Sequence, residues 1–154
     1  MSAIGIRASN TEIYYAICTG SVAEPSIEVT EKLIFPKSMT EPETLSWLRE
    51  EFLNVCREKN IDSVFIKGIE PNVQSLSKSL VMRMRVEGVL IEASNSEGFI
   101  TAIGAYATVS SLLGVRSAKS FVTSDEFKEI HQWPSLNEKF REAGVVGVAG
   151  LGLR

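Results

Sequence analysis

Two basic residues, Arg7 and Lys67, each end a short and largely apolar strand-like run. Ligands of open α/β sheets bind beyond the carboxyl ends of the strands, so neighbouring strands would bring both cations to that edge. Together with the nearby Ser9 and Asn10, they could bind a phosphate or a carboxylate through charge-assisted hydrogen bonds. The alternative is that each cation forms an ion pair with a neighbouring glutamate, which would leave the cleft without a ligand.

Three glutamates, Glu12, Glu70 and Glu142, lie near these positions or in the last amphipathic stretch of the chain. Carboxylate oxygens are the ligands that Mg²⁺ prefers, and a pair of divalent metals stabilises both the attacking and the leaving oxygen of a phosphodiester. A magnesium site built from these three glutamates is therefore one alternative. The other is that they are solvated surface carboxylates, which is the commoner state of such residues.

Five further cations, Lys78, Arg83, Arg85, Arg116 and Lys119, could form a basic strip that binds nucleic acid. Solvated charge on helix surfaces is the alternative explanation for them. The formal net charge of −3 and the isoelectric point near 5.3 argue against nonspecific nucleic-acid binding through the whole surface. Binding through a local basic patch stays open.

The bulk composition is typical of an ordinary globular protein, with 154 residues, 44% hydrophobic and 23% charged. This length predicts one domain spanning residues 1–154. Cys18 and Cys56 lie in apolar runs, which predicts two buried free thiols in a reducing compartment. No apolar run reaches the roughly 18 residues of a membrane span, and no signal peptide precedes the first strand, so we expect a cytoplasmic protein without a membrane partner.

Hydrophobic periodicity predicts three consecutive strands, a helix, a strand, a helix, a strand and further helices. The first helix has the clearest start, because Thr40 and Glu43 have capping-box spacing with Pro42 in the first turn. The predicted strands cover residues 4–10, 12–18, 27–35, 63–66 and 99–103, and the predicted helices cover residues 40–60, 73–93, 108–113 and 124–130. The glycine-rich stretch 144–152 is compatible with a strand or with a closely packed helix, because each glycine costs a helix about 1 kcal/mol relative to alanine.

The second predicted helix carries an apolar face with Leu76, Leu80 and Met84, and its end becomes broadly apolar. Such a helix is either well buried or pairs with a second chain. We therefore expect a homo-oligomer, with a homodimer as its simplest form, that associates through residues 80–91, or binding to another protein partner.

Four short segments resemble motifs of one nuclease family. They are residues 5–9 (GIRAS), 64–67 (VFIK), 106–109 (YATV) with 113–114 (LG) and 118–119 (AK), and 142–149 (EAGVVGVA). They are similar to the G-I-D-x-G/S strand, the strand that ends in Glu, the Y-A-P-x-x-V-K, L-x-G and A-x-K series, and the E-A-D-A-L-A-I-A helix of RuvC-like proteins in the ribonuclease H-like superfamily. The resemblance implies an α/β fold with three layers, α/β/α, around a mixed five-stranded sheet.

The resemblance also implies a site of acids that hold two metal ions, and the matching positions here are Arg7, Lys67 and Gly144. Like charges repel, so cations at these positions would oppose metal binding. The resulting hypothesis is a catalytically degenerate domain, without cofactor or metal, that acts as a binding or accessory subunit. The alternatives are an active Mg²⁺-dependent nuclease on structured DNA or RNA with relocated carboxylates, and a non-catalytic nucleic-acid-binding module.

Overall fold

The structure is a computed structural model that describes residues 1–73 and 75–154. Its five strands are β1 (Ser2–Ala8), β2 (Glu12–Gly20), β3 (Pro25–Ile34), β4 (Ser63–Lys67) and β5 (Ile100–Gly104). The first three form an antiparallel meander, while β4 runs parallel to β1 and β5 runs parallel to β4. The sheet order is β3-β2-β1-β4-β5, so the mixed five-stranded sheet is confirmed.

Helices cover both faces of this sheet and complete the predicted three-layer α/β/α arrangement. The helices α1 (Glu41–Glu58) and α2 (Lys78–Ser96) enclose one apolar core, which includes Ile4 and Leu48. The helices α3 (Tyr106–Leu113), α4 (Lys119–Val122) and α5 (Glu138–Gly150) enclose the other. Within the described ranges, no helix is both long and apolar enough to cross a membrane.

The start of α1 is set by the capping box predicted from the sequence. The Thr40 hydroxyl accepts the Glu43 N–H at 3.4 Å, and the Thr40 N–H donates to the Glu43 carboxylate at 3.3 Å. These bonds satisfy two backbone donors that would otherwise have no partner at the helix start. After the helix, Asn60 adopts a left-handed φ of 52°, which turns the chain towards β4.

The glycine-rich segment forms α5, and its glycines allow the helix to lie almost in contact with β1. A Cβ atom on Gly5 would lie 2.0 Å from the carbonyl oxygen of Ala143 and 2.3 Å from the nitrogen of Gly147. A Cβ atom on Gly147 would lie 2.7 Å from the sulfur of Cys18. Residues 144–152 were compatible with a strand or a closely packed helix, and the structure shows the helix. The close approach of the two backbones offsets the low helix propensity of glycine.

Two predicted helices differ from the structure. No helix covers residues 124–130, because Lys128 and Glu129 adopt left-handed φ angles of 50° and 59° while Phe127 and Ile130 both pack into the core. In place of that helix, the short α4 precedes the segment, and a 3-10 turn at Trp133–Ser135 follows it.

The second predicted helix starts later than residue 73, because the Ser77 side chain accepts the Leu80 N–H at 3.1 Å and caps α2 at Lys78. Residue 74, within the predicted range, lies outside the described residues. Of the predicted apolar face, Leu80 and Met84 lie on α2, whereas Leu76 lies just before its start. Leu76 and Met84 are 71% and 51% exposed, and the buried face carries Val86, Glu87, Leu90, Ala93 and Ser94.

Candidate functional site

The carboxyl ends of β1 and β4 lie side by side, as the sequence predicted. Ile6 pairs with Ile66 in the parallel register, and Arg7 and Lys67 are the next residues on the two strands. Alternation along each strand points both side chains towards α5, on the same face as Ala3 and Phe65. The two cations therefore belong to one site.

Arg7 forms an ion pair with Glu142 of α5. Its Nε donates to Glu142 Oε2 at 2.8 Å, and its Nη1 donates to the carbonyl oxygen of Ala8. The two side chains are only 16% and 10% exposed. This charge-assisted contact links the end of β1 directly to the helix that crosses it.

Lys67 is held by partners from the loop that follows β4 and from the start of α3. Its Nζ donates to Glu70 Oε2 at 2.8 Å and to the carbonyl oxygen of Gly68 at 2.6 Å, and it lies 4.2 Å from the centre of the Tyr106 ring. Glu70 Oε2 also accepts the backbone N–H of Tyr106, at the start of α3. Burial raises the pKa of Glu70, but the bonds from Lys67 and Tyr106 outweigh it, so the pKa lies below its ordinary value. With its side chain 3% exposed, Lys67 is a buried and fully engaged cation.

A third ion pair, Arg83 with Glu87 on α2, was not predicted as part of the site. Arg83 Nε donates to Glu87 Oε2 at 3.0 Å, and Arg83 Nη2 donates to the carbonyl oxygen of Lys67 at 3.2 Å. Burial raises the pKa of Glu87 despite the neighbouring guanidinium. The sequence signal for this pair was its i,i+4 spacing. Glu87 also follows the apolar Val86 and lies three residues before Leu90.

These three pairs form what we call the ionic cluster, which comprises Arg7, Glu142, Lys67, Glu70, Arg83 and Glu87. It contains three cations and three carboxylates, so its formal charges balance. Each carboxylate accepts a hydrogen bond from its cation at Oε2, so a metal ion would have to compete with that cation for the carboxylate.

The cluster does not fit the pair of magnesium ions that the fold resemblance implies. Mg²⁺ requires oxygen ligands such as carboxylates. At the ends of β1 and β4, cationic side chains lie where those carboxylates would be needed. At the third position, a Cβ atom on Gly144 would lie 2.8 Å from the Trp133 ring, which leaves no room for an acidic side chain. Within residues 1–73 and 75–154, no group of three or more His, Cys, Asp or Glu side chains could hold a metal ion.

The three glutamates considered as relocated metal ligands have separate partners. Glu142 and Glu70 belong to different ion pairs of the cluster. Glu12 lies at the β1–β2 hairpin, where it accepts the Tyr14 hydroxyl at 2.6 Å and the Thr11 hydroxyl at 2.8 Å. The structure therefore does not bring Glu12, Glu70 and Glu142 together.

The residues predicted to bind an anion divide into two groups. Ser9, Asn10 and Arg7 line one small cleft at the end of β1, whereas Lys67 lies inside the ionic cluster. Ser9 Oγ donates to the Glu12 carbonyl oxygen at 2.9 Å and so also stabilises the hairpin turn.

The five cations of the predicted basic strip lie in different layers of the fold. Lys78, Arg83 and Arg85 belong to α2, while Arg116 and Lys119 lie with α3 and α4 across the sheet. Arg83 is part of the ionic cluster, and Arg85 pairs with Glu41 of α1 at 2.6 Å. Lys78, Arg116 and Lys119 are exposed, so the five do not form one continuous strip along α2.

Comparison of the whole structure with solved structures shows the ribonuclease H-like fold in its RuvC-type form. The chain is similar to RuvC of Thermus thermophilus, solved alone and in complex with a Holliday junction substrate, with a TM-score of 0.74 to each. Identity is 13% and 12%, and each alignment covers 97% of this chain and 92% of the RuvC chain. The yeast mitochondrial Holliday junction resolvase is similar with a TM-score of 0.60 and 9% identity, over 97% of this chain and 78% of the resolvase. No family model and no curated protein matches the sequence.

Proposed function

We propose that this chain is a binding or accessory subunit built on a RuvC-type fold whose metal-dependent nuclease centre has been lost. The observation that carries the proposal is the occupation of the β1 and β4 strand ends by Arg7 and Lys67, each paired with a glutamate. Removing one buried charge from such a pair costs several kcal/mol, so the cations are firmly held where metal ions would have to bind.

The competing hypothesis is an active nuclease that uses relocated carboxylates. It would require at least two carboxylates to leave cationic partners and converge on a metal. The separate positions of Glu12, Glu70 and Glu142 disfavour it. It also predicts that Mg²⁺ would stabilise the fold, because a ligand that binds only the folded state raises its stability.

A cleavage assay tests the proposal. The purified chain is incubated with a synthetic four-way DNA junction in Mg²⁺ and in Mn²⁺, and Thermus thermophilus RuvC serves as the positive control. We expect no cleavage above the background of a chain-free reaction. Metal-dependent cleavage that disappears in the Glu142→Gln variant would establish the competing hypothesis.

The partner of such a subunit is proposed to be a second copy of the chain or another protein. Met84 of α2 and Leu76, just before its start, support an interface that includes the predicted residues 80–91, because both side chains are largely exposed. Light scattering after size exclusion measures the mass directly. We expect a dimer that Met84→Lys shifts to monomer, and a wild-type monomer at high concentration would leave a different protein as the partner.

A further inference from the structure

A cleft of about 250 Å³ lies at the carboxyl end of β1, next to the ionic cluster. Three cations line it: Arg7 from β1, Arg83 from α2 and Lys139 from α5. Among the described residues that line it, none is acidic, and the polar ones are Ser9, Asn10, Ser77 and Ser79. Its lining is therefore positively charged and rich in hydrogen-bond donors.

Both guanidinium groups have donors left over for a ligand. Arg7 uses Nε and Nη1 for Glu142 and Ala8, and its Nη2 makes no hydrogen bond to a described residue. Arg83 uses Nε and Nη2, and its Nη1 likewise makes none. In the described part of the chain, no buried side-chain nitrogen or oxygen lacks a partner, so these two free ends are accessible to solvent.

The arrangement of the cations favours an anion between them. Arg7 and Arg83 line the same cleft, and the pKa of Arg83 is lowered by burial and further by the positive charge of Arg7. Glu142 and Glu87 each accept a hydrogen bond from the Nε atom of one guanidinium group, which restricts its orientation. A doubly charged anion bound to the free Nη atoms would offset the repulsion between the two arginines.

The start of α2 adds backbone donors to the same cleft. Ser77 caps this 19-residue helix by accepting the Leu80 N–H, which leaves the N–H groups of Lys78 and Ser79 without an intrahelical acceptor. The positive end of the helix dipole also lies here. This helix end adds to the positive potential of the three side-chain cations.

We propose that this cleft binds a phosphate group directly, without a metal ion, through Arg7, Arg83 and Lys139. The inference rests on the proposed function, because the cations act in the absence of metal ions. The cleft is smaller than the roughly 300–1,000 Å³ of pockets that enclose drug-sized molecules, so it accommodates a phosphate group rather than a whole nucleotide. The phosphate can come from the backbone of a nucleic acid or from a free phosphate compound.

Lys139 and Lys32 provide a matched pair of variants. The Nζ atom of each lies 5.6 Å from the centre of the Tyr14 ring, but only Lys139 lines the cleft. Lys139→Ala and Lys32→Ala therefore change the net charge equally and remove the same kind of aromatic contact. A difference between them in phosphate affinity reports the cleft itself rather than the overall charge of the protein.

Thermal denaturation with inorganic phosphate in EDTA, against sodium chloride of equal ionic strength, tests the inference. At about ten times Kd, phosphate should raise the wild-type Tm by about 3–6 °C. Lys139→Ala should weaken phosphate binding about ten-fold, while Lys32→Ala leaves it within two-fold. Equal effects of the two variants, or no phosphate effect in the wild type, would overturn the proposal.

A second measurement distinguishes the source of the phosphate and separates this inference from the proposed function. Binding of a labelled single-stranded oligonucleotide that is weakened by Lys139→Ala and displaced by phosphate identifies a nucleic-acid backbone as the source. Phosphate binding without oligonucleotide binding identifies a free phosphate compound. Stabilisation by phosphate that requires added Mg²⁺ would contradict both proposals, whereas no effect of phosphate with or without Mg²⁺ would remove this one alone.

Discussion

Arg7 Nε lies 2.8 Å from Glu142 Oε2, and this contact joins the end of the first strand to the helix that packs across it. A site for two divalent metal ions would need several carboxylates in this region. Here the region holds a cation and a carboxylate that neutralise each other.

Replacing Arg7 with alanine should lower the free energy of unfolding by about 3 kcal/mol, because Glu142 is left nearly buried without a partner. The double variant Arg7→Leu, Glu142→Leu should recover most of this loss, since it removes both charges. Urea denaturation measures all three proteins. If the single variant is as stable as the wild type, the pair is not the structural link described above.

The pair of Arg83 and Glu87 should behave differently. Burial lowers the pKa of Arg83 and raises the pKa of Glu87, so in both partners the charged form is disfavoured. Replacing both with apolar residues, Arg83→Met with Glu87→Leu, should leave stability unchanged or increase it by up to about 4 kcal/mol. The same double variant should lose phosphate affinity. A clear loss of stability would show that this pair contributes to the fold rather than to binding.

The contact between Gly5 and α5 gives a steric prediction. Gly5→Ala should destabilise the protein by about 3 kcal/mol or more, because its Cβ would meet the backbone of Ala143 and Gly147. Gly88→Ala is the matched control, since a Cβ on this helical glycine would meet nothing within 4 Å. The control should gain about 0.5–1 kcal/mol. Equal effects in chemical denaturation would contradict the close packing of α5 on β1.

Both thiols should be unreactive in the folded protein. Cys18 and Cys56 are buried and unpaired, and burial raises the pKa of each to about 12. At pH 8 a thiol reagent should modify them at least about 1000-fold more slowly than a free cysteine. In guanidinium chloride both should react at once, which provides the control. A rapid reaction of either thiol in the folded state would show that its side of the core opens.

The parts of the fold that could be predicted from the sequence are those set by local interactions. The Thr40 capping box lies within four residues, and the apolar run of β4 follows from its burial on both faces. The sequence did not decide whether residues 144–152 form a helix or a strand. The helix depends on the close contact between Gly147 and Gly5, which are far apart in the sequence. The helix expected at residues 124–130 failed for a similar reason, since Trp133 packs on Phe127 with ring centres 4.8 Å apart and the chain bends to allow it.

Some residues of the candidate site could likewise be predicted from the sequence, and others could not. Arg7 and Lys67 could be placed from strand ends and the family resemblance, and the structure brings them to one edge. Glu87 and Lys139 were missed as site residues, because they reach the site from helices whose rotation about their own axes depends on packing. Lys67 was assigned to the anion-binding group, but its contact with Tyr106 and Glu70 takes it out of the cleft.

If Arg7 and Lys67 keep metal ions out of this site, calorimetric titration with Mn²⁺ should detect their effect. The wild type should show no saturable binding up to millimolar Mn²⁺. The double variant Arg7→Asp, Lys67→Glu should gain binding, because it places two carboxylates beside Glu142. Saturable Mn²⁺ binding by the wild type that is lost in Glu142→Gln would contradict this role of Arg7 and Lys67.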